Sequence, residues 1–266
     1  MLVSSYALND MTAQKYLQAL LDAQALSDAE LSALRKLRGD IEGQLRTGLL
    51  KVERVYYAGS FGKETMIQEQ YDLDLVVYWA SDCGFTLKAI RNGVGNVLRK
   101  HWKVVIPKTV AWELPFQRGF HIDVVPGRAL DNSFKYANLY RSDTNGSLQT
   151  SIKVHIDKVR NSGRRDAIRL IKLWRKRKSV PLTKSLALEL LTIDGCSGQP
   201  TNDLAKQVWA TFEYLRDNIL TVRLADPANT NNINSDQISS SDKQAIKQAA
   251  QAALASKTWE EVFRQI

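Results

Sequence analysis

The chain has 266 residues, 44% of them hydrophobic and 24% charged. That is enough apolar material for one full core or for two lobes sharing a cleft. No apolar run approaches the roughly 20 residues that span a bilayer. Met1-Leu2-Val3-Ser4-Ser5-Tyr6 offers neither a basic n-region nor a cleavable apolar core, so the chain reads as cytoplasmic. Two cysteines far apart, Cys83 and Cys196, fit a reducing compartment and exclude a cysteine-based zinc site. The formal charge of +9 suits either a nucleotide-binding cleft or a nucleic-acid binder, and composition does not separate them.

In chain order, two helices are expected over about 10–25 and 28–50. Ser27-Asp28-Ala29-Glu30 is a capping box for the second, and Leu31, Leu34, Ile41 and Leu45 give it one apolar face. Strands are expected at about 53–59, 71–79, 103–106, 109–114 and 119–125, with a helix over 84–101. The 103–106 and 109–114 segments read as a hairpin broken near Pro107-Lys108. Beyond Pro126 the pattern becomes helical, at about 148–160, 164–178, 184–195, 201–220 and 241–254, with a short helix near 258–265. Thr230 to Ser241, rich in Asn and Ser, reads as a loop. Strands first and helices later is the α+β layout. It gives a mixed-sheet lobe over 1–126 and a helical lobe over 127–266, with the site in the cleft between them.

The chemistry centres on Gly59-Ser60, followed after a gap of eleven residues by Asp72-Leu73-Asp74 at the head of the apolar run Leu75-Val76-Val77-Tyr78. A Gly-Ser turn supplies small residues and free backbone N–H groups suited to a phosphate chain. Asp72 and Asp74, two apart on a strand, leave the same face. Such a pair is costly without a cation, because neighbouring like charges raise one pKa. Asp123, in Phe120-His121-Ile122-Asp123-Val124-Val125, puts a third acid into an apolar strand, where a lone carboxylate is expensive. Pairing of the two strands would gather Asp72, Asp74 and Asp123 around metal. The plainer alternative is a turn cap at Asp72 and a sheet-edge salt bridge at Asp123.

Gly-Ser, a gap of about ten, Asp-x-Asp and a distant third Asp resembles the signature of the polymerase-β-like nucleotidyltransferases. Leu170-Ile171-Lys172-Leu173-Trp174, then Pro181 and Ser185-Leu186-Ala187-Leu188-Glu189-Leu190-Leu191, is similar to a block shared by oligoadenylate synthases and the bacterial cGAS/DncV-like nucleotidyltransferases (CD-NTases). Asp226-Pro227-Ala228-Asn229, followed by Asn231-Asn232, is similar to their late "D-P-x-N … N" element. The resemblance runs from about residue 40 to the C-terminus. It implies the polymerase-β-like fold, with the 28–50 helix bracing the back of both lobes. It implies two Mg²⁺ ions, with Mn²⁺ as an alternative, on Asp72, Asp74 and Asp123, the last helping to deprotonate the acceptor hydroxyl. Gly59 and Ser60 would bind the donor β- and γ-phosphates, Lys172 the triphosphate, and Ser185 the base or phosphate tail, with Thr65 lining the turn. Lys172 is otherwise one more solvated cation and Ser185 a helix cap. His101, His121 and His155 lack metal-ligand spacing and read as structural, although His121 shares a strand face with Asp123.

The activity implied is joining of nucleoside triphosphates into a cyclic di- or oligonucleotide messenger for anti-phage (CBASS) signalling, the product acting on a separate effector. Linear oligonucleotide synthesis or template-independent addition to RNA is the alternative within the superfamily. An inactive nucleotide or nucleic-acid sensor is the alternative from another class. Eight basic residues, Arg164, Arg165, Arg169, Lys172, Arg175, Lys176, Arg177 and Lys178, fall within fifteen positions and read mostly as a solvated helix face. The metazoan cyclic GMP-AMP synthase grips DNA with a zinc-bearing insertion that two lone cysteines could not build. The expected partners are therefore NTPs and a regulatory protein encoded nearby, with no obligatory nucleic-acid activator and no membrane.

Overall fold

A computed structural model describes residues 10–265 of the chain. The Met1–Tyr6 segment, read above as lacking a leader, lies outside the described residues. No described helix is long and apolar enough to cross a membrane.

Helices α1 (Asp10–Ala23) and α2 (Asp28–Gly48) come first. The capping box forms as the sequence specifies: the Glu30 N–H donates to Ser27 Oγ, and the Ser27 N–H donates to the Glu30 carboxylate at 2.8 Å. The sheet follows: β1 (Arg54–Tyr57), β2 (Leu73–Trp79), β3 (Ile106–Pro107), β4 (Trp112–Pro115), β5 (His121–Ala129), β6 (Ala137–Arg141) and β7 (Gly146–Thr150). A one-turn helix, α3 (Gly59–Lys63), separates β1 from β2, and α4 (Leu87–His101) separates β2 from β3. The strand order is β1-β2-β5-β4-β3, with β6 and then β7 added beside the second half of β5. Among the described strands of this sheet, only β2 and β5 run parallel.

Four expectations are corrected here. The sheet does not end near Pro126, because β5 continues to Ala129 and pairs with β6. The segments Ala137–Arg141 and Gly146–Thr150 are too polar to show a strand pattern, and the residues assigned to the start of a helix at 148 are the end of β7. The Thr230–Ser241 loop likewise holds strand β9 (Asn229–Ile233), paired with β8 (Ala225–Asp226), and a 3₁₀ turn at Asn234–Gln237. The hairpin is also shorter than expected, with β3 contributing two residues.

One sheet face is apolar throughout. Leu73, Leu75, Val77 and Trp79 of β2, Ile122 and Val124 of β5, and Trp112 and Leu114 of β4 pack with α2 and α4. The helical lobe comprises α5 (Ile152–Arg160), α6 (Arg165–Arg177), α7 (Ser185–Gly195), α8 (Leu204–Asn218), α9 (Ser240–Ala255) and α10 (Trp259–Phe263). Its core forms around Trp174, Phe212 and Phe263 and also takes Leu17 and Leu21 of α1. The brace is therefore the α1–α2 pair rather than α2 alone: α2 serves the sheet core and α1 the helical core.

The basic run on α6 is not a solvated face. Arg169 Nε donates to the Met66 carbonyl (3.2 Å), Arg175 Nη2 to Gln70 Oε1 (2.8 Å) and Arg177 Nε to Glu69 (3.0 Å), while Arg165 pairs with Glu64. Four guanidinium groups thus clasp residues 64–70, the segment that joins the Gly-Ser turn to Asp72. Planar forks that satisfy carbonyls and carboxylates together suit this bridging.

Candidate active site

The face of the sheet opposite α2 and α4 carries the acids. Parallel pairing sets Asp74 beside Asp123 and Leu73 beside Ile122, which brings Asp72 next to His121. Antiparallel pairing with β4 then sets Glu113 beside Asp123. Alternate strand residues share a face, so Asp72, Asp74, Asp123, Glu113 and His121 leave the sheet together. Asp72, Asp74 and Asp123 are gathered as the sequence suggested, and neither a turn cap nor a lone edge salt bridge accounts for them.

The Gly-Ser turn closes over this face. Gly59 takes φ +47°, in the left-handed region that favours glycine, and a Cβ there would fall onto Asp74 Oδ2. Gly59 and Ser60 open α3, where the first N–H groups have no partner within the helix. The Thr65 N–H donates to the Ser60 carbonyl at 2.9 Å and pins the turn from behind.

The electrostatics are those of a site short of positive charge. Burial, reinforced by the neighbouring Asp123 carboxylate, pushes Asp74 up to about 6 against the pull of Lys63. Burial also raises Asp72, opposed mainly by His121, whose Nδ1 lies 2.9 Å from Asp72 Oδ1. The Lys108 ammonium spans Glu113 (2.5 Å) and Asp123 Oδ2 (3.2 Å). Burial works against its charge, but the hydrogen bond to Glu113 and the charge of Asp123 hold its pKa above the usual lysine range. Asp123 Oδ1 is buried with no protein partner. An orphaned carboxylate oxygen beside two carboxylates of raised pKa is a donor set suited to a hard divalent cation. Asp72, Asp74 and Asp123 fit that role. Single ligand atoms of Glu113, His121 and Asp123 also lie within 4.8 Å of one another.

Lys172 is placed differently from the expectation. Its buried ammonium donates to Thr65 Oγ1 (2.8 Å) and Glu189 Oε1 (2.9 Å), while Lys63 donates to Glu189 Oε2 (2.6 Å). Burial lowers Lys172, and the two lysines hold Glu189 below the usual range against its own burial. A direct hold on triphosphate would require Lys172 to leave this network. Lys172 is thus no solvated cation: with Glu189 it anchors α6 and α7 to Lys63 and Thr65, at the root of the Gly-Ser turn. Ser185 is exposed at the first position of α7, whose N-cap is Lys184 without a side-chain bond, so Ser185 is not a cap. His155 is structural as expected: its Nε2 lies 2.6 Å from Asp226 Oδ1, and Asp226 also accepts from the Ala228 N–H (2.8 Å) and Asn232 Nδ2 (3.2 Å). This builds the late Asp-Pro-x-Asn element into the fold. His121, by contrast, belongs to the site.

Glu113, Lys108, Lys63 and Glu189 escaped the sequence reading. Glu113 becomes visible only through the β4–β5 register. Lys63 and Glu189 stand inside the quoted motifs, but nothing in sequence pairs residues 126 positions apart.

The mixed sheet with its acidic face, set against a helical lobe, matches the fold of solved nucleotidyltransferases. Among solved structures it is similar to CdnC of E. coli MS115-1 with ATP (TM-score 0.73, 23% identity, covering 94% of this chain and 97% of that one). It is also similar to the Vibrio cholerae DncV cyclic AMP-GMP synthase (0.65, 18%, 96% and 78%) and to the Cid1 poly(U) polymerase (0.71, 13%, 96% and 99%). No family model and no curated protein sequence matches the chain.

Proposed function

We propose that the chain is a metal-dependent nucleotidyltransferase of the CD-NTase type, joining NTPs into a cyclic di- or oligonucleotide messenger for anti-phage signalling. The observation that carries this reading is the set of three carboxylates on paired strands, one of them packed directly beneath Gly59. Two Mg²⁺ ions held by Asp72, Asp74 and Asp123, with Mn²⁺ as an alternative, would lower the pKa of the attacking hydroxyl and neutralise the departing pyrophosphate.

The chain's own groups do the rest. Gly59 and Ser60 receive the β- and γ-phosphates on backbone N–H groups, and Ser185 stands available for the phosphate tail. A ribose hydroxyl oxygen attacks the donor α-phosphorus and the bond to the bridging oxygen breaks. Pyrophosphate departs, and the hydroxyl proton passes to Asp123. Lys108 and His121 orient Asp123 and Asp72. Lys172 acts on the triphosphate indirectly, through Thr65 and Glu189, by fixing the turn. The three gathered carboxylates argue against an inactive sensor, which has no need of them.

CdnC has been solved in complex with a HORMA protein, which supports a protein regulator here rather than a nucleic-acid activator. The setting proposed is the cytoplasm. Similarity to Cid1 supports the second reading, linear addition of nucleotides. Incubation with all four NTPs and Mg²⁺, phosphatase treatment and mass spectrometry separates the two. A cyclic product keeps its mass, a linear one loses its terminal phosphates, and no product at all would overturn the proposal.

A further inference from the structure

Residues 64–70 form a strap that runs from the Gly-Ser turn to the threshold of Asp72 and touches both cores of the molecule. Ile67, 1% exposed, belongs to the helical core, while Met66 and the adjoining Tyr71 pack against the sheet core. Gln68, Glu69 and Gln70 are exposed, so hydrogen bonds rather than apolar packing hold that half of the strap. The Gln70 N–H donates to the Ile67 carbonyl (3.1 Å) and folds the strap into a turn. Gln24, buried just beyond α1, accepts from the Gln68 N–H on its carbonyl (3.1 Å) and from the Glu69 N–H on its side-chain oxygen (3.0 Å). Three arginines of α6 then place one arm on the strap and another on a different element. Arg169 joins the Met66 carbonyl to that of Leu21 in α1 (Nη2, 3.0 Å). Arg175 joins Gln70 to the Leu182 carbonyl between α6 and α7 (Nη1, 3.2 Å). Arg177 takes the Glu69 carboxylate with Nε (3.0 Å) and Nη2, and the Phe263 carbonyl of α10 with Nη1 (3.0 Å).

We infer that Arg169, Arg175 and Arg177 are positioning residues: they dock the strap so that the Gly-Ser turn and Asp72 stand in place before a nucleotide arrives. The inference rests on the nucleotidyltransferase reading and deepens it. The strap's two ends are the two halves of the proposed donor site. One end is pinned to the turn by the Thr65 N–H on the Ser60 carbonyl (2.9 Å), and Asp72 follows two residues after the other. A loose connection would lose its backbone freedom only when ligand bound, and that loss would weaken affinity. Bridged to three elements, the strap has lost it already on folding. A metal-bound triphosphate that reached both the turn and Asp72 would itself tie the two ends together. Loosening the strap therefore penalises binding and leaves the chemical step nearly untouched. Guanidinium groups suit the task because a planar fork bridges two acceptors, whereas an ammonium is a point charge.

The test compares wild type with Arg177→Lys in the full chain. Arg177 is the probe because its partners, Glu69 and Phe263, belong to neither the carboxylate site nor the phosphate-binding turn. Lysine keeps the charge but loses the fork. Steady-state turnover is measured with Mg²⁺. Hydrogen exchange at the Gln68, Glu69 and Gln70 amides is followed without nucleotide, and again with Mg²⁺ and a saturating nonhydrolysable ATP analogue. In the variant, KM for NTP should rise about tenfold or more, the range of one charge-assisted hydrogen bond, with kcat within about threefold. Exchange at the three amides should quicken at least about tenfold in the free variant and return to the wild-type rate with the analogue bound. Should Arg177→Lys fail to fold, Glu69→Gln breaks the same ion pair and carries the same expectations. With wild type active, an unchanged KM, a fall in kcat at unchanged KM, or exchange that stays fast with analogue bound each overturns the inference and leaves nucleotidyl transfer standing. Absence of analogue binding and of turnover in wild type overturns both.

Discussion

Replacing Asp74 by Asn should make the protein more stable while abolishing its turnover. The carboxylate is held at about 6, against an ordinary value of 3.8, by burial and by Asp123. A difference of about two units, at 1.36 kcal/mol each, makes ionised Asp74 a cost of roughly 3 kcal/mol to the metal-free fold at pH 7.5. The sign follows from linkage: the folded carboxyl binds its proton more tightly than the unfolded one, so the cost is present above about 6 and fades as the pH falls toward 3.8. At pH 4.5 about 1 kcal/mol remains. Asparagine keeps the shape and removes the charge. In EDTA at pH 7.5 the variant should therefore melt higher by up to about 5–10 °C for a chain of this size. The assay is calorimetric unfolding of both proteins in EDTA across this pH range, with NTP turnover followed in Mg²⁺. Wild-type stability rises with added metal and that of the variant does not. An Asn variant that is less stable at pH 7.5, or a gain that does not shrink with acid, would refute the picture of an uncompensated acidic face.

Gly59→Ala should cut turnover at least a hundredfold, because the new Cβ lands on Asp74 and the left-handed conformation costs an alanine about 1–2 kcal/mol; steady-state kinetics with circular dichroism checks it, and near-wild-type turnover would contradict the close packing. Glu189→Ala leaves the Lys63 and Lys172 ammonium groups buried without a counter-charge, and urea unfolding should report a loss of about 3–5 kcal/mol. A loss under about 1 kcal/mol would mean the network is solvated. Turnover of nuclease-treated protein at about 150 mM salt should change less than tenfold on adding long duplex DNA or RNA, since binding limited to phosphate contacts is strongly screened; greater stimulation would argue for nucleic-acid regulation.

The sequence made some parts plain for local reasons. A capping box and a regular apolar face announce α2, and two acids spaced on an apolar strand can only share a side. Strands β6 and β7 stayed hidden because Ala-Asn-Leu-Tyr-Arg and Gly-Ser-Leu-Gln-Thr alternate weakly and take their stability from β5. Glu113 and Lys108 join the site through cross-strand register, which no local pattern encodes. Lys172 misled for a related reason. Its motif marks a lysine near the cleft, but whether the ammonium faces ligand or Glu189 depends on how two distant helices meet. The basic run on α6 was misjudged likewise, since its acceptors are carbonyls and carboxylates of residues 64–70.

The most direct test of the central claim is a crystal structure of the wild-type chain with Mg²⁺ and an NTP analogue that cannot release pyrophosphate. The account predicts the β- and γ-phosphates on the Gly59 and Ser60 N–H groups, with metal density bridging them to Asp72 and Asp74. Asp123 should then turn its orphaned oxygen toward the second ion. A triphosphate bound elsewhere, or metal density absent from these carboxylates at saturating Mg²⁺, would contradict it.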